Sequence, residues 1–146
     1  MAPEIGKKSR AGFGAVLGLL LVCSLIFYFN FHTVVVSGKS MEPTFLNGRR
    51  LLVSKAYWLV GPIRDKDIVV VSDPNPDGYI IKRVYKMAGE TVDYLNVPRN
   101  YSITKGPYKV PAGMIYLLGD NRDQSEDSRA FGPRGINTVL GKVVLF

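Results

Sequence analysis

A long uncharged segment followed by short β-rich stretches predicts an all-β domain, a small β-barrel or folded sheet, carried on one N-terminal transmembrane helix. Three observations carry this expectation. Between Ala11 and Gly38 there is no Asp, Glu, Lys or Arg. Beyond that point, runs rich in Val, Ile, Leu and Tyr recur at short intervals. Strong turn-formers separate them: Asp73-Pro74-Asn75-Pro76-Asp77-Gly78, Lys105-Gly106-Pro107, Pro111-Ala112-Gly113 and Gly132-Pro133. Many short strands divided by such breakers describe a barrel or a folded antiparallel sheet. At 146 residues there is room for one domain and an anchor.

The first element is the apolar run Gly12–Phe29. A bilayer core needs about 20 such residues in a helix, so the run predicts a single span. A cleavable secretory signal is the rival, with Lys7, Lys8 and Arg10 as its charged start. The run exceeds the usual apolar stretch of about 7–15 residues in such signals, and no convincing small-x-small site follows it. A retained anchor is therefore expected, dividing the chain into 1–31 (cytoplasmic N-terminus and anchor) and 32–146 (an extracytoplasmic domain). The same three cations hold the N-terminus in the cytoplasm. Cys23 is the only cysteine and lies in the span, so no intramolecular disulfide forms. It reads as apolar filler, because Leu21-Val22 before it lacks the small residues of a lipid-attachment site.

The strands expected beyond the anchor are Thr33–Val36, Leu51–Ser54, Ile68–Val71, Tyr79–Val84, Thr91–Leu95, Met114–Leu118 and Leu140–Leu145. Ala56–Val60 reads equally as a short helical turn or an apolar loop. Of the net charge of +7, residues 4–10 supply +2 and the outer part +5. Those cations are scattered rather than clustered, which argues against nucleic acid; anionic headgroups or a plain solvated surface account for them. Trp58 favours the membrane interface, whereas Phe45 and Leu46 fit the interface or the core.

Ser40 and Lys82 carry the chemistry. Ser40 sits in the bend Ser37-Gly38-Lys39-Ser40-Met41-Glu42-Pro43-Thr44, and Lys82 interrupts the apolar run Tyr79-Ile80-Ile81-Lys82-Arg83-Val84. A hydroxyl nucleophile needs a base, and the only histidine, His32, stands at the edge of the apolar segment. A lysine can serve once burial lowers its pKa. The two-residue period of a strand places Ile80, Lys82 and Val84 on one apolar face, which would supply that burial. About nine residues separate the span from Ser40, a reach of about 30 Å at most, so the nucleophile works near the membrane surface.

Three boxes in order, Ser40-Met41-Glu42-Pro43-Thr44, Lys82-Arg83-Val84 and Gly119-Asp120-Asn121-Arg122-Asp123-Gln124-Ser125-Glu126-Asp127-Ser128-Arg129, together with the preceding span, resemble the bacterial type I signal peptidases. The resemblance runs from about residue 11 to the C-terminus. It implies a membrane-anchored Ser/Lys serine endopeptidase that removes signal peptides from exported preproteins and needs no cofactor or metal. Ser40 would attack the scissile carbonyl and its N–H would help bind the oxyanion. Lys82 would move the proton, and Ser125 would hydrogen-bond and orient the Lys82 amine. Arg83 with Asp120, and Asp127 with Arg129, would brace the site. Some members carry a serine two residues before the nucleophile as a second oxyanion donor; this chain has Gly38 there. Only Tyr85–Leu118 separates the lysine from the third box, so the large inserted domain of some relatives is absent.

The implied partners are preproteins with signal peptides, membrane lipid and, functionally, the export translocon, at a plasma or inner membrane. Substrate would bind as an added strand, with small side chains in shallow pockets near Val35, Val36, Ile80 and Ile81. Alternatives remain for the third box, whose carboxylates could hold Ca²⁺ or form an ion-paired surface turn. They remain for the whole chain too: a mitochondrial inner-membrane peptidase, a self-cleaving repressor protease, or a non-catalytic, membrane-tethered peptide-binding β-domain. The repressor reading fails on topology, because its Ala11-Gly12 bond would lie across the membrane from Ser40.

Overall fold

The structure is a computed structural model that describes residues 6–74 and 78–145, with side chains from residue 12 to residue 144. Glu4, the centre of the Asp73–Gly78 turn and the side chains of Lys7, Lys8 and Arg10 lie outside the described residues. Helix α1 spans Gly6–Asn30. Its Gly12–Asn30 stretch is long and apolar enough to cross a membrane by length and composition, and none of it is buried by the rest of the chain. A helix that is apolar all round and not buried by its own chain has the composition of a membrane span. It passes without a linker into β1 (Phe31–Val35). Its last carbonyl, at Asn30, accepts from Lys55 N at 3.0 Å, so the helix end is fastened to the sheet.

Strands β1, β2 (Arg50–Ser54), β3 (Ile68–Ser72), β4 (Tyr79–Lys86), β7 (Met114–Leu118), β8 (Arg134–Gly135) and β9 (Val139–Leu145) form one 7-stranded antiparallel sheet, ordered β1-β2-β9-β3-β4-β7-β8. Strands β5 (Thr91–Val92) and β6 (Tyr108–Lys109) make a separate ribbon. The all-β expectation holds as a folded sheet; the barrel does not close. Among the described residues β1 pairs only with β2, and β8 only with β7. A side chain, not a backbone ladder, bridges β4 and β1: the Tyr79 hydroxyl donates to the Val35 carbonyl at 2.9 Å.

Alternation along β4 sorts the core. Ile80 and Val84 pack with Val69, Val71, Ile115 and Leu117 on one face. Tyr79 and Ile81 pack with Val36, Met41, Phe45, Leu51 and Val70 on the other. Phe45 is thus a core residue, 2% exposed, while Leu46 remains on the surface. The expected Thr91–Leu95 strand ends at Val92. Asp93 accepts from Leu95 N and Asn96 Nδ2 through its side chain, and that turn chemistry overrides β propensity. Ala56–Val60 resolves into helix α2 (Tyr57–Val60). The two-residue strands β6 and β8 escaped the sequence reading because glycine and proline flank them.

Candidate active site

The ladder between β4 and β7 ends at Arg83↔Leu118, after which the chain leaves as the 119–129 loop. The Tyr79–Lys82 half of β4 is therefore paired on its β3 side alone. The Ser40 turn enters this gap. Lys82 Nζ donates to Ser40 Oγ at 2.7 Å. Lys82 is 4% exposed, and among the described residues no carboxylate forms an ion pair with it. Burial holds its pKa below the ordinary lysine value, opposed by the more distant charges of Asp127, Asp73 and Glu126. A desolvated amine in contact with a hydroxyl can take a proton from it. His32 stands exposed on β1.

Two carboxylates fasten the loops that meet here. Asp120 receives Arg83 in a fork, Nε to Oδ1 at 2.8 Å and Nη2 to Oδ2 at 2.7 Å, and also the Thr44 hydroxyl at 2.6 Å. Burial pushes its carboxyl up, but the Arg83 and Thr44 bonds outweigh this and hold it below the usual range. Asp127 is fully buried and caps helix α3 (Ser128–Phe131). It accepts from Gly119 N at 3.0 Å and from Arg129 through N, Nε and Nη2. Here too burial raises the carboxyl and the bonds from Arg129 and Gly119 more than reverse it. These two carboxylates of the 119–129 loop are committed to arginines rather than arranged as a cation cage.

Asn121 N donates to the Ser40 carbonyl at 3.0 Å, tying the 119–129 loop to the Ser40 turn. Gly119 allows that approach: a Cβ there would lie 2.6 Å from the Ser40 carbonyl oxygen and overlap the Ser125 hydroxyl. Gly38 has a different reason. Its φ of +84° is a left-handed conformation, and a Cβ would meet nothing within 4 Å. The Ser40 N–H has no acceptor among the described residues. Ser125 does not make the expected bond to Lys82. Its buried hydroxyl lies by Asp127 but completes no hydrogen bond in this orientation.

A cleft of about 60 Å³ runs beside Ser40 and Lys82, lined also by Val36, Ser37, Met41, Tyr79, Ile80 and Ile81. Of the residues expected near small pockets, Val36, Ile80 and Ile81 line this cleft and Val35 does not. The sequence reading missed Thr44, Gly119 and Tyr79 as parts of the site. Thr44 and Gly119 were legible as members of the first and third boxes; nothing marked Tyr79.

The model of one protein family, described as signal peptidase, peptidase S26, matches residues 10–146. The chain belongs to the signal peptidase family S26. Its similarity to individual family members is consistent along most of its length. It is 34% identical over 143 residues to signal peptidase I of Bacillus caldolyticus, covering 79% of this chain and 78% of that protein. To signal peptidase I T of Bacillus subtilis it is 34% identical over 139 residues, covering 79% and 72%. To mitochondrial inner membrane protease subunit 1 of Xenopus tropicalis it is 34% identical over 140 residues, covering 90% and 82%.

Proposed function

We propose that this S26 protein is a membrane-anchored serine endopeptidase that removes N-terminal signal peptides from exported preproteins, with Ser40 as nucleophile and Lys82 as general base. The carrying observation is the 2.7 Å contact between Ser40 Oγ and a buried Lys82 amine. In the neutral state Lys82 accepts the Ser40 proton as Oγ attacks the scissile carbonyl. The free Ser40 N–H donates to the oxyanion. Protonated Lys82 then gives its proton to the leaving amine, and the same amine activates the water that releases the acyl-enzyme. Arg83–Asp120 and Asp127–Arg129 keep the two loops in place. Ser125, with its uncommitted hydroxyl, orients the Lys82 amine when substrate closes the site.

Substrate enters in extended form along the free edge of β4, and a cleft of about 60 Å³ favours small side chains before the cut. Residues 1–31 anchor the protein and 32–146 form the catalytic part, on the outer side of a plasma or inner membrane, where preproteins leave the export translocon. The orientation follows from Lys7, Lys8 and Arg10. Lipid contact extends to helix α2, where Trp58 is 73% exposed close to the end of α1. Trp58 is the only tryptophan. Its emission should shift to the blue when the protein passes from a compact short-chain detergent into anionic vesicles; an unchanged spectrum contradicts the lipid contact.

The deciding experiment is cleavage of a preprotein with an Ala-x-Ala site by the full-length protein in detergent, beside Ser40→Ala. Correct trimming is expected from the first, with a loss on the order of 10⁴-fold or more in the second. Peptide binding without trimming by a folded wild-type protein would replace the enzyme with a tethered binding domain.

A further inference from the structure

Tyr79 holds a position that neither the reaction nor the core requires of its hydroxyl. The ring packs against the core, and the residue lines the cleft. The hydroxyl donates to the Val35 carbonyl at 2.9 Å and accepts the Val35 N–H at 3.3 Å. Among the described residues strand β1 has β2 on one side only. Val36 pairs toward that side, donating to Arg49 O and accepting from Gly48 N, each at 2.8 Å. By alternation Val35 turns its N–H and C=O off the open edge. These are the groups an added strand would use, and Tyr79 occupies both.

The distance is informative. Tyr79–Lys82 covers about 10 Å of strand, the length of about three extended residues. A substrate strand whose scissile carbonyl meets Ser40 therefore reaches Val35 about three residues from the cut. We propose that Tyr79 is a latch: its hydroxyl stands in for the substrate main chain at Val35, and the segment preceding the cut displaces it. The latch sets affinity for that segment without touching the reacting atoms. Its bonds are exposed, so each is weak enough for a peptide to exchange. This inference rests on the strand-addition reading of substrate binding given above.

The test is a pair of Michaelis parameters for the full-length protein in detergent, acting on a peptide that spans an Ala-x-Ala site. Tyr79→Phe keeps the ring and frees Val35, so KM should fall about threefold to tenfold with kcat little changed. A lower Tm with KM unchanged or raised would make the hydroxyl a structural staple and overturn the latch. Should the wild type not cleave the peptide, the proposed function fails separately, and the latch is then read by binding. The same peptide should bind Ser40→Ala/Tyr79→Phe about threefold to tenfold more tightly than Ser40→Ala; equal or weaker binding overturns it. Should Tyr79→Phe fail to fold, Tyr79→Leu carries the same comparison.

Discussion

Lys82→Met should abolish peptide cleavage, by on the order of 10³-fold or more, and at the same time make the protein more stable at neutral pH. Methionine matches the lysine stem in length and is at home in an apolar setting. It removes only the amine, which is buried against Ser40 Oγ. The stability gain follows from the lowered pKa. Below the folded-state pKa the amine is protonated in both states, and the full cost of burying charge is present. Between that value and the ordinary 10.5, the unfolded chain holds a proton that the folded chain has lost, so wild-type stability rises with pH. Above 10.5 the amine is neutral in both states and the cost is gone. The advantage of Lys82→Met should therefore be largest below the folded-state pKa and fade as pH approaches 10.5. Wild-type kcat/KM should climb with pH through the lowered lysine pKa. Denaturant unfolding of both proteins across this range checks the first statement and a pH–rate profile the second; a flat rate from about pH 6 to 10 would refute lysine as the base.

The same residue shows how much of the molecule was legible in its sequence. A cation in the middle of Ile80-Ile81-Lys82-Arg83-Val84 announces either an exposed edge or a buried amine with work to do. Strand alternation was enough to place Lys82 with Ile80 and Val84, and the structure packs those two on one face. The ion pairs of Arg83 with Asp120 and Arg129 with Asp127 were legible by resemblance, and both form. The opening beside β4 was not, because it depends on where β7 leaves its ladder, and pairing registers are long-range choices that no local pattern records. Gly119 was marked by its place in the third box, but the reason for it, a close approach to Ser40 far away in sequence, was not legible. Barrel closure turned on the same kind of information, since a tyrosine side chain takes the place of a final ladder between β4 and β1.

Asp127→Asn should be the most destabilising single change in the site, costing about 3–5 kcal/mol. Asp127 is fully buried, and every group bonded to it is a donor: Gly119 N, Arg129 N, and Nε and Nη2 of Arg129. The new amide would point N–H groups at some of those donors and leave the Arg129 guanidinium half-buried without its counter-charge. Loss of the Gly119 bond would loosen the segment whose Asn121 N–H holds the Ser40 carbonyl, so cleavage should fall with stability. The acid limb offers a cleaner signature. Because the folded-state carboxyl is depressed, its contribution is present above the usual 3.8 and is lost as pH falls through the lower folded value. Asp127→Asn has no such group, so its stability deficit should shrink in that acid window. A double-mutant cycle with Arg129→Gln isolates the pair. Removing both charges should cost clearly less than the two single changes added together, since neither partner is then left buried and unmatched. Strict additivity, measured by denaturant unfolding, would mean that the pair does not hold the loop.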